Sequence, residues 1–269
     1  MAVSDIESLG VRSVMAGAFR LLRRHFVAVS MLALALTAVS QVGALLIAVG
    51  LGAAVRSTLA RTADAGAFTV LLCWIALHLS DTVLQGLVTA RAGRGRARLG
   101  VLAGVGAIWA LCILTVSGLL FVAPPPVGPD GAEIYLVLVV LIAPAAIAQI
   151  PFAVVAPAAA VGDVGVLGSY RLSARLTRGS WGGVIVLNLI QFFVMTGLTL
   201  LLLFAIGLAV GGDRARADKD GVYYAALLAV LALFVLRAMV AAAMAASLYL
   251  ELMRLRGDEA PETRASIFD

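Results

Sequence analysis

Residues 183–210 read GVIVLNLIQFFVMTGLTLLLLFAIGLAV, a run without one charged residue, in which Asn188, Gln191 and two threonines are the polar side chains. A bilayer's hydrocarbon core, about 30 Å thick, is crossed by roughly 20 helical residues. The run therefore reads as a membrane-spanning helix. Five further apolar stretches of spanning length lie near 27–53, 67–90, 99–123, 134–161 and 222–250. Together the six predict an all-α fold, a polytopic membrane helix bundle of about six transmembrane helices. Several are longer than a bilayer needs, which permits tilt or kinks without specifying either.

The whole-chain composition agrees. Of 269 residues, 62% are hydrophobic and 13% charged, and the mean hydropathy is +1.07. Soluble domains carry about 25% charged residues, and a water-soluble fold of this size could not cover so much apolar surface. The net charge is +5, and of the 20 basic residues all but Lys219 are arginine. The arginines flank apolar runs and form no patch interleaved with aromatics, so a nucleic-acid partner is not indicated. Arginine used almost to the exclusion of lysine, with abundant Ala, Gly and Val, suggests a bacterial source rich in GC.

The connections alternate in charge. One set holds Arg12, Arg20, Arg23 and Arg24, then RAGRGRAR at 91–98, then Arg171, Arg175 and Arg178, then Arg254, Arg256 and Arg264, fourteen positive residues in all. The other set holds Arg56, Arg61, Arg214, Arg216 and Lys219, and its 124–133 loop carries only Asp130 and Glu133 as charges. Positive charge accumulates on the cytoplasmic side, so both termini are expected in the cytoplasm of a cell with a bacterial inner membrane. Ala38-Val39-Ser40 resembles a signal-peptide cleavage site, but the apolar run continues beyond it, which favours a retained first helix.

Two basic segments have the pattern of amphipathic helices lying on the membrane surface. In the first, residues 1–26, Ser4 and Glu7 have capping-box spacing, and Arg20, Arg23 and Arg24 form an edge beside Phe19, Leu22 and Phe26. In the second, residues 163–179, Asp163 is placed to cap a helix whose Arg171, Arg175 and Arg178 share a face, beside Leu172 and Leu176. Gly179 suits the helix end, and Trp181 suits the interface. These elbows would feed helices into the bilayer, and their arginines are candidates for anionic lipid headgroups. Gly17-Ala18-Phe19-Arg20-Leu21 is echoed in Gly168-Ser169-Tyr170-Arg171-Leu172, a short internal similarity.

Three ionisable residues fall inside the expected spans: His78 and Asp81 in the second, and Arg237 in the sixth. A lone charge there costs roughly 2.5–3.5 kcal/mol, so each needs a partner or water. Counted at 1.5 Å per residue from the outer ends, Asp81 and Arg237 both lie about 20 Å deep. Their matched depth suggests an ion pair, with His78 one turn away on the face of Asp81. Gln41, Gln85, Gln149, Asn188 and Gln191 add amides suited to fastening helices together. Pro144, Pro151 and Pro157 interrupt the fourth stretch; broken helices can form transporter sites, and structural kinks do the same to a chain.

Motifs for catalysis are missing. His25 and His78 are the two histidines, and there is no HExxH, Walker loop, GxSxG elbow or carboxylate pair within a span. Cys73 and Cys112 sit inside apolar runs, indicating neither a disulfide frame nor a metal site. No cofactor is expected.

The block PFAVVAPAAAVGDVGVLGSYRLSARLTRG at 151–179 combines a proline-containing apolar stretch, an acidic residue and a small-residue, arginine-rich helix. With the last span running into LYLELMRLRGDE at 248–259, the chain resembles the six-helix membrane domain that is fused to some bacterial glycerophosphodiester phosphodiesterases and also occurs alone. Asp163 stands where that family would place Glu. The resemblance implies the membrane topology and carries over no phosphodiesterase activity, which belongs to a separate soluble domain.

The expected layout is a surface helix over 1–26, a six-span membrane domain over 27–250 and a cytoplasmic tail over 251–269. Three functions fit it. The first is a non-enzymatic scaffold, accessory or lipid-interacting protein, partnered by membrane lipids, another membrane protein or its own copies. The second is a small transporter or permease component with a polar site in the bilayer. The third, resting only on the buried polar groups, is a lipid-modifying enzyme.

Overall fold

A computed structural model describes residues 9–58, 65–93, 96–122, 150–211 and 219–257. Among these the chain is all-helical, without a strand. The order is α1 (Val11–Thr58), α2 (Ala65–Ala92), α3 (Leu99–Val122), a 3-10 turn (Ile150–Phe152), α4 (Val155–Val161), α5 (Val166–Thr177), α6 (Trp181–Gly211) and α7 (Lys219–Arg256). Three stretches, Val11–Gly50, Trp181–Ile206 and Tyr224–Arg256, are long and apolar enough to cross a membrane by length and composition. Helices α2 and α3 have 28 and 24 residues.

Five of the six apolar stretches read from the sequence coincide with α1, α2, α3, α6 and α7. The fourth differs. Most of it, with Pro144 and Gln149, lies outside the described residues, as do Ser4, Glu7, the 124–133 loop and the tail beyond Gly257. Its described end is not one helix but the 3-10 turn followed by the seven-residue α4. Pro151 lies in the turn. Pro157 falls in the first turn of α4, where a helix has no intrahelical acceptor for its N–H groups. Pro157 thus starts a helix; the interruption is at 151–154.

Helices α1, α2 and α7 pack together as the centre of the bundle. Their shared core joins Val29 and Ala33, Leu84 and Val88, and Ala238, Met239, Ala242 and Ala246. The alanines of α7 let neighbouring backbones approach closely, the usual means of packing helices where lipid removes the hydrophobic drive between them. A second core, around Leu9, Val14, Val154, Leu176, Val184 and Leu252, ties α4, α5, α6 and the end of α7 to the start of α1. A third joins Leu102 and Val105 of α3 to Val155, Ala156, Ala159 and Ala160. The start of α1, α5 and the end of α7 are thereby gathered at one basic end of the bundle.

Helix α1 leaves helical geometry at His25 (φ −120°, ψ 22°). This kink separates an elbow over 11–24 from the long apolar part of the helix. The second elbow, α5, is a separate helix: Gly179 adopts a positive φ of 87° between it and α6, a conformation that glycine takes without steric cost.

Candidate functional site

Helix α5 is two-sided. Ser169, Ser173, Leu176 and Thr177 are fully buried, while Leu167, Arg171, Arg175 and Arg178 are exposed on the opposite face. The buried side grips the break in the preceding segment. Ser173 Oγ donates to Pro151 O at 2.9 Å and accepts from Val154 N at 3.3 Å. Thr177 Oγ1 lies 3.2 Å from the same Pro151 oxygen, sharing its proton with Ser173 O. Backbone groups that an uninterrupted helix would pair internally are satisfied here by a neighbouring helix's hydroxyls. Tyr170 closes the contact from the side: its ring meets Phe152 edge to face, centroids 5.3 Å apart, its hydroxyl donates to Val105 O at 3.4 Å, and burial pushes its phenol up to about 12.

Asp163 does not cap α5, contrary to the sequence expectation. The N-cap is Gly165, without a side-chain hydrogen bond. Asp163 is instead exposed and paired with Arg98 Nη1 at 3.1 Å. The same guanidinium nitrogen lies 3.1 Å from Gly162 O and 3.2 Å from Val164 O, so the arginine straps the connection between α4 and α5. The turn at 162–165 carries the chain away from the helix start before Asp163 could reach it. Arg256 donates to Arg178 O at the other end of α5.

The first elbow is held by the end of α7. Ser247 Oγ donates to Val14 O at 2.8 Å, and Ser13 Oγ donates to Glu251 Oε1 at 2.8 Å. Arg254 braces that carboxylate at 3.0 Å. Arg12, Phe19, Arg20, Arg23, Arg24 and Phe26 are exposed, with Phe19 at 68% of its free surface. At the kink, Arg91 Nε approaches His25 Nδ1 at 3.5 Å.

Deep in the bundle, Arg237 of α7 donates to Asp81 of α2. Asp81 is 7% exposed, and its side chain is more enclosed than that of Arg237. His78 and Gln85, both half-buried, lie on the same face of α2 as Asp81. Gln41 bonds across to Cys73 O at 3.1 Å, and Ser80 reaches Leu36 O at 3.2 Å, so both fasten α1 to α2. Asn188 is exposed and Gln191 half-buried on α6, and neither bonds to the pair. Among the described residues, no buried side-chain nitrogen or oxygen lacks a partner, and no three His, Cys, Asp or Glu side chains are grouped to hold a metal ion.

The residues missed by sequence reasoning are the hydroxyls. Ser169, Ser173 and Thr177 recur every fourth position opposite the arginines, a signal that was present in the sequence. Ser247 and Ser13 gave none, because their partners are remote in the chain.

Comparison with protein-family models, with curated proteins and with solved structures finds no match to this chain. The resemblance carried by residues 151–179 therefore rests on that block.

Proposed function

We propose that this chain is a non-enzymatic integral protein of a bacterial inner membrane, a scaffold or accessory subunit with six spans and both termini cytoplasmic. The observation that carries the reading is the use made of its polar side chains. Asp81 with Arg237, Gln41 with Cys73 O, Ser80 with Leu36 O and Ser247 with Val14 O each fasten one helix to another. Polar groups so engaged hold a bundle together and leave little for chemistry on a substrate. Five of the six spans are supported by the lengths of α1, α2, α3, α6 and α7, and the remaining one by the apolar stretch 134–161 of the sequence; the arginines at one end support the orientation. The pattern at 151–179 supports kinship with the six-helix membrane domain.

Affinity purification from native membranes in mild detergent tests the role. A scaffold or accessory subunit retains a stoichiometric membrane-protein partner or a second copy of itself; recovery as a bare monomer in repeated preparations counts against it.

A second reading, a small transporter component, is favoured by Asp81 and Arg237 lying within the bundle beside His78 and by the broken segment at Pro151. The two readings part at Asp81. Removing one member of a buried pair costs about 3–5 kcal/mol, so as a fastener Asp81→Arg and Arg237→Asp each fail to assemble and the double exchange recovers. A transporter with Asp81→Asn would remain folded and lose a measurable flux in proteoliposomes.

A further inference from the structure

We infer that the two arginine-faced elbows form a docking surface for the phosphate headgroups of anionic lipids. The inference rests on the membrane placement proposed above and deepens it by naming the ligand.

The composition of the two outward faces points to that ligand. On the first elbow Arg12, Met15, Phe19, Arg20 and Arg23 follow one another along a single exposed stripe, and Phe26 continues it past the kink. On α5 the stripe is Leu167, Arg171, Arg175 and Arg178, with Leu167 68% exposed and Trp181, 51% exposed, just beyond it. Guanidinium groups and large apolar side chains share each face. Water suits the first kind and hydrocarbon the second; the headgroup layer, with phosphate oxygens above acyl chains, suits both. A folded protein partner would be expected to bring carboxylates to such a face, and a nucleic acid would leave the phenylalanines and Leu167 in water. Among the described residues, Arg12, Arg23, Arg24, Arg171 and Arg178 have no salt bridge to a carboxylate, so their donors remain available for lipid phosphate.

The buried sides keep these faces outward. Ser173 and Thr177 bind the break, which stops α5 from rolling about its axis, and Ser247 does the same for the first elbow through Val14. A rigid helix presenting arginines at i, i+4 and i+7 meets headgroups without first ordering a loop.

Trp181 offers a local probe. In a W74F/W109F background it is the one tryptophan left, since the chain has three. The protein is reconstituted in phosphatidylcholine vesicles containing a varied share of brominated phosphatidylglycerol, and quenching gives the relative binding constant of the anionic lipid. A several-fold preference for the anionic lipid is expected, weakened by high salt and brought close to parity in R171Q/R175Q/R178Q. The R171K/R175K/R178K variant keeps the charge and most of the preference. Equal quenching by anionic and zwitterionic lipid, or a preference unchanged in the glutamine variant, overturns the inference. So does protection of these arginines from phenylglyoxal in native membranes but not in anionic vesicles, which assigns the face to a protein. An alkaline wash separates the two failures: protein stripped from the vesicles refutes the membrane placement itself, whereas protein retained without lipid preference refutes only the headgroup site.

Discussion

The two elbows carry the same short motif and solve different problems. Gly17-Ala18-Phe19-Arg20-Leu21 and Gly168-Ser169-Tyr170-Arg171-Leu172 both bury their second residue and expose the arginine. The first elbow docks on α7, a continuous helix whose backbone is already hydrogen-bonded. It has no unpaired backbone to satisfy there and approaches closely: at Gly17 a Cβ would collide with Ser247 Oγ. The second docks on a break, where Pro151 O and Val154 N lack helical partners, and has to supply hydroxyls. Their exits differ as well. No glycine or proline occurs from Ala18 to Val42, so the first elbow stays within one helix and kinks at His25; Gly179 lets the second end outright. Similar outer faces can thus rest on unlike inner ones, because the chemistry of an exposed face depends on residue type and docking depends on the partner.

The largest effect should come from removing the hydroxyl clasp. Ser173→Ala with Thr177→Val leaves Val154 N and Pro151 O buried without partners, at about 1–3 kcal/mol for each unpaired group. The thermal unfolding temperature in detergent should drop markedly, whereas Ser247→Ala on α7, which removes the bond to Val14 O of the first elbow, should cost only about 0.6 kcal/mol, the average for a hydrogen bond between membrane helices. Equal losses would erase the distinction between a break and a finished helix.

Next comes Gly17→Ala, which forces Ser247 aside at about 1–3 kcal/mol. Adding Ser247→Ala should restore most of that loss, and a double-mutant cycle reads the coupling. At Gly179 the cost is conformational, since the nearest atom a Cβ would meet is Arg256 Nη2 at 4.0 Å. Gly179→Ala should cost about 1–2 kcal/mol and Gly179→Asn less, because Asn tolerates the left-handed region; the reverse ranking would mean that packing decides there too. The smallest effect is expected for Arg98→Gln. Its pair with fully exposed Asp163 contributes little to stability, and the visible change should be faster hydrogen exchange at 162–165 with little shift in unfolding temperature.

Much of this was legible in the chain. The uncharged run at 183–210 and the other long apolar stretches sufficed for helices α1, α2, α3, α6 and α7, because period and length are local properties. Equal depth, a matter of counting residues, brought Asp81 and Arg237 together. Asp163 misled, since capping spacing says nothing about a turn that swings the side chain toward Arg98. Pro157 misled in the same way: proline breaks a helix or begins one according to where the first turn falls.

By itself the sequence determined that the described chain is helical, where its long apolar helices lie and which faces of the elbows carry arginine. Those properties follow from side-chain type and a 3.6-residue repeat. Only the tertiary structure decided what each polar group holds. Ser173 reaches back 22 residues to Pro151, and Ser247 reaches 233 to Val14. A hydroxyl has one proton and a reach of about 3 Å, so its partner depends on how segments remote in sequence pack.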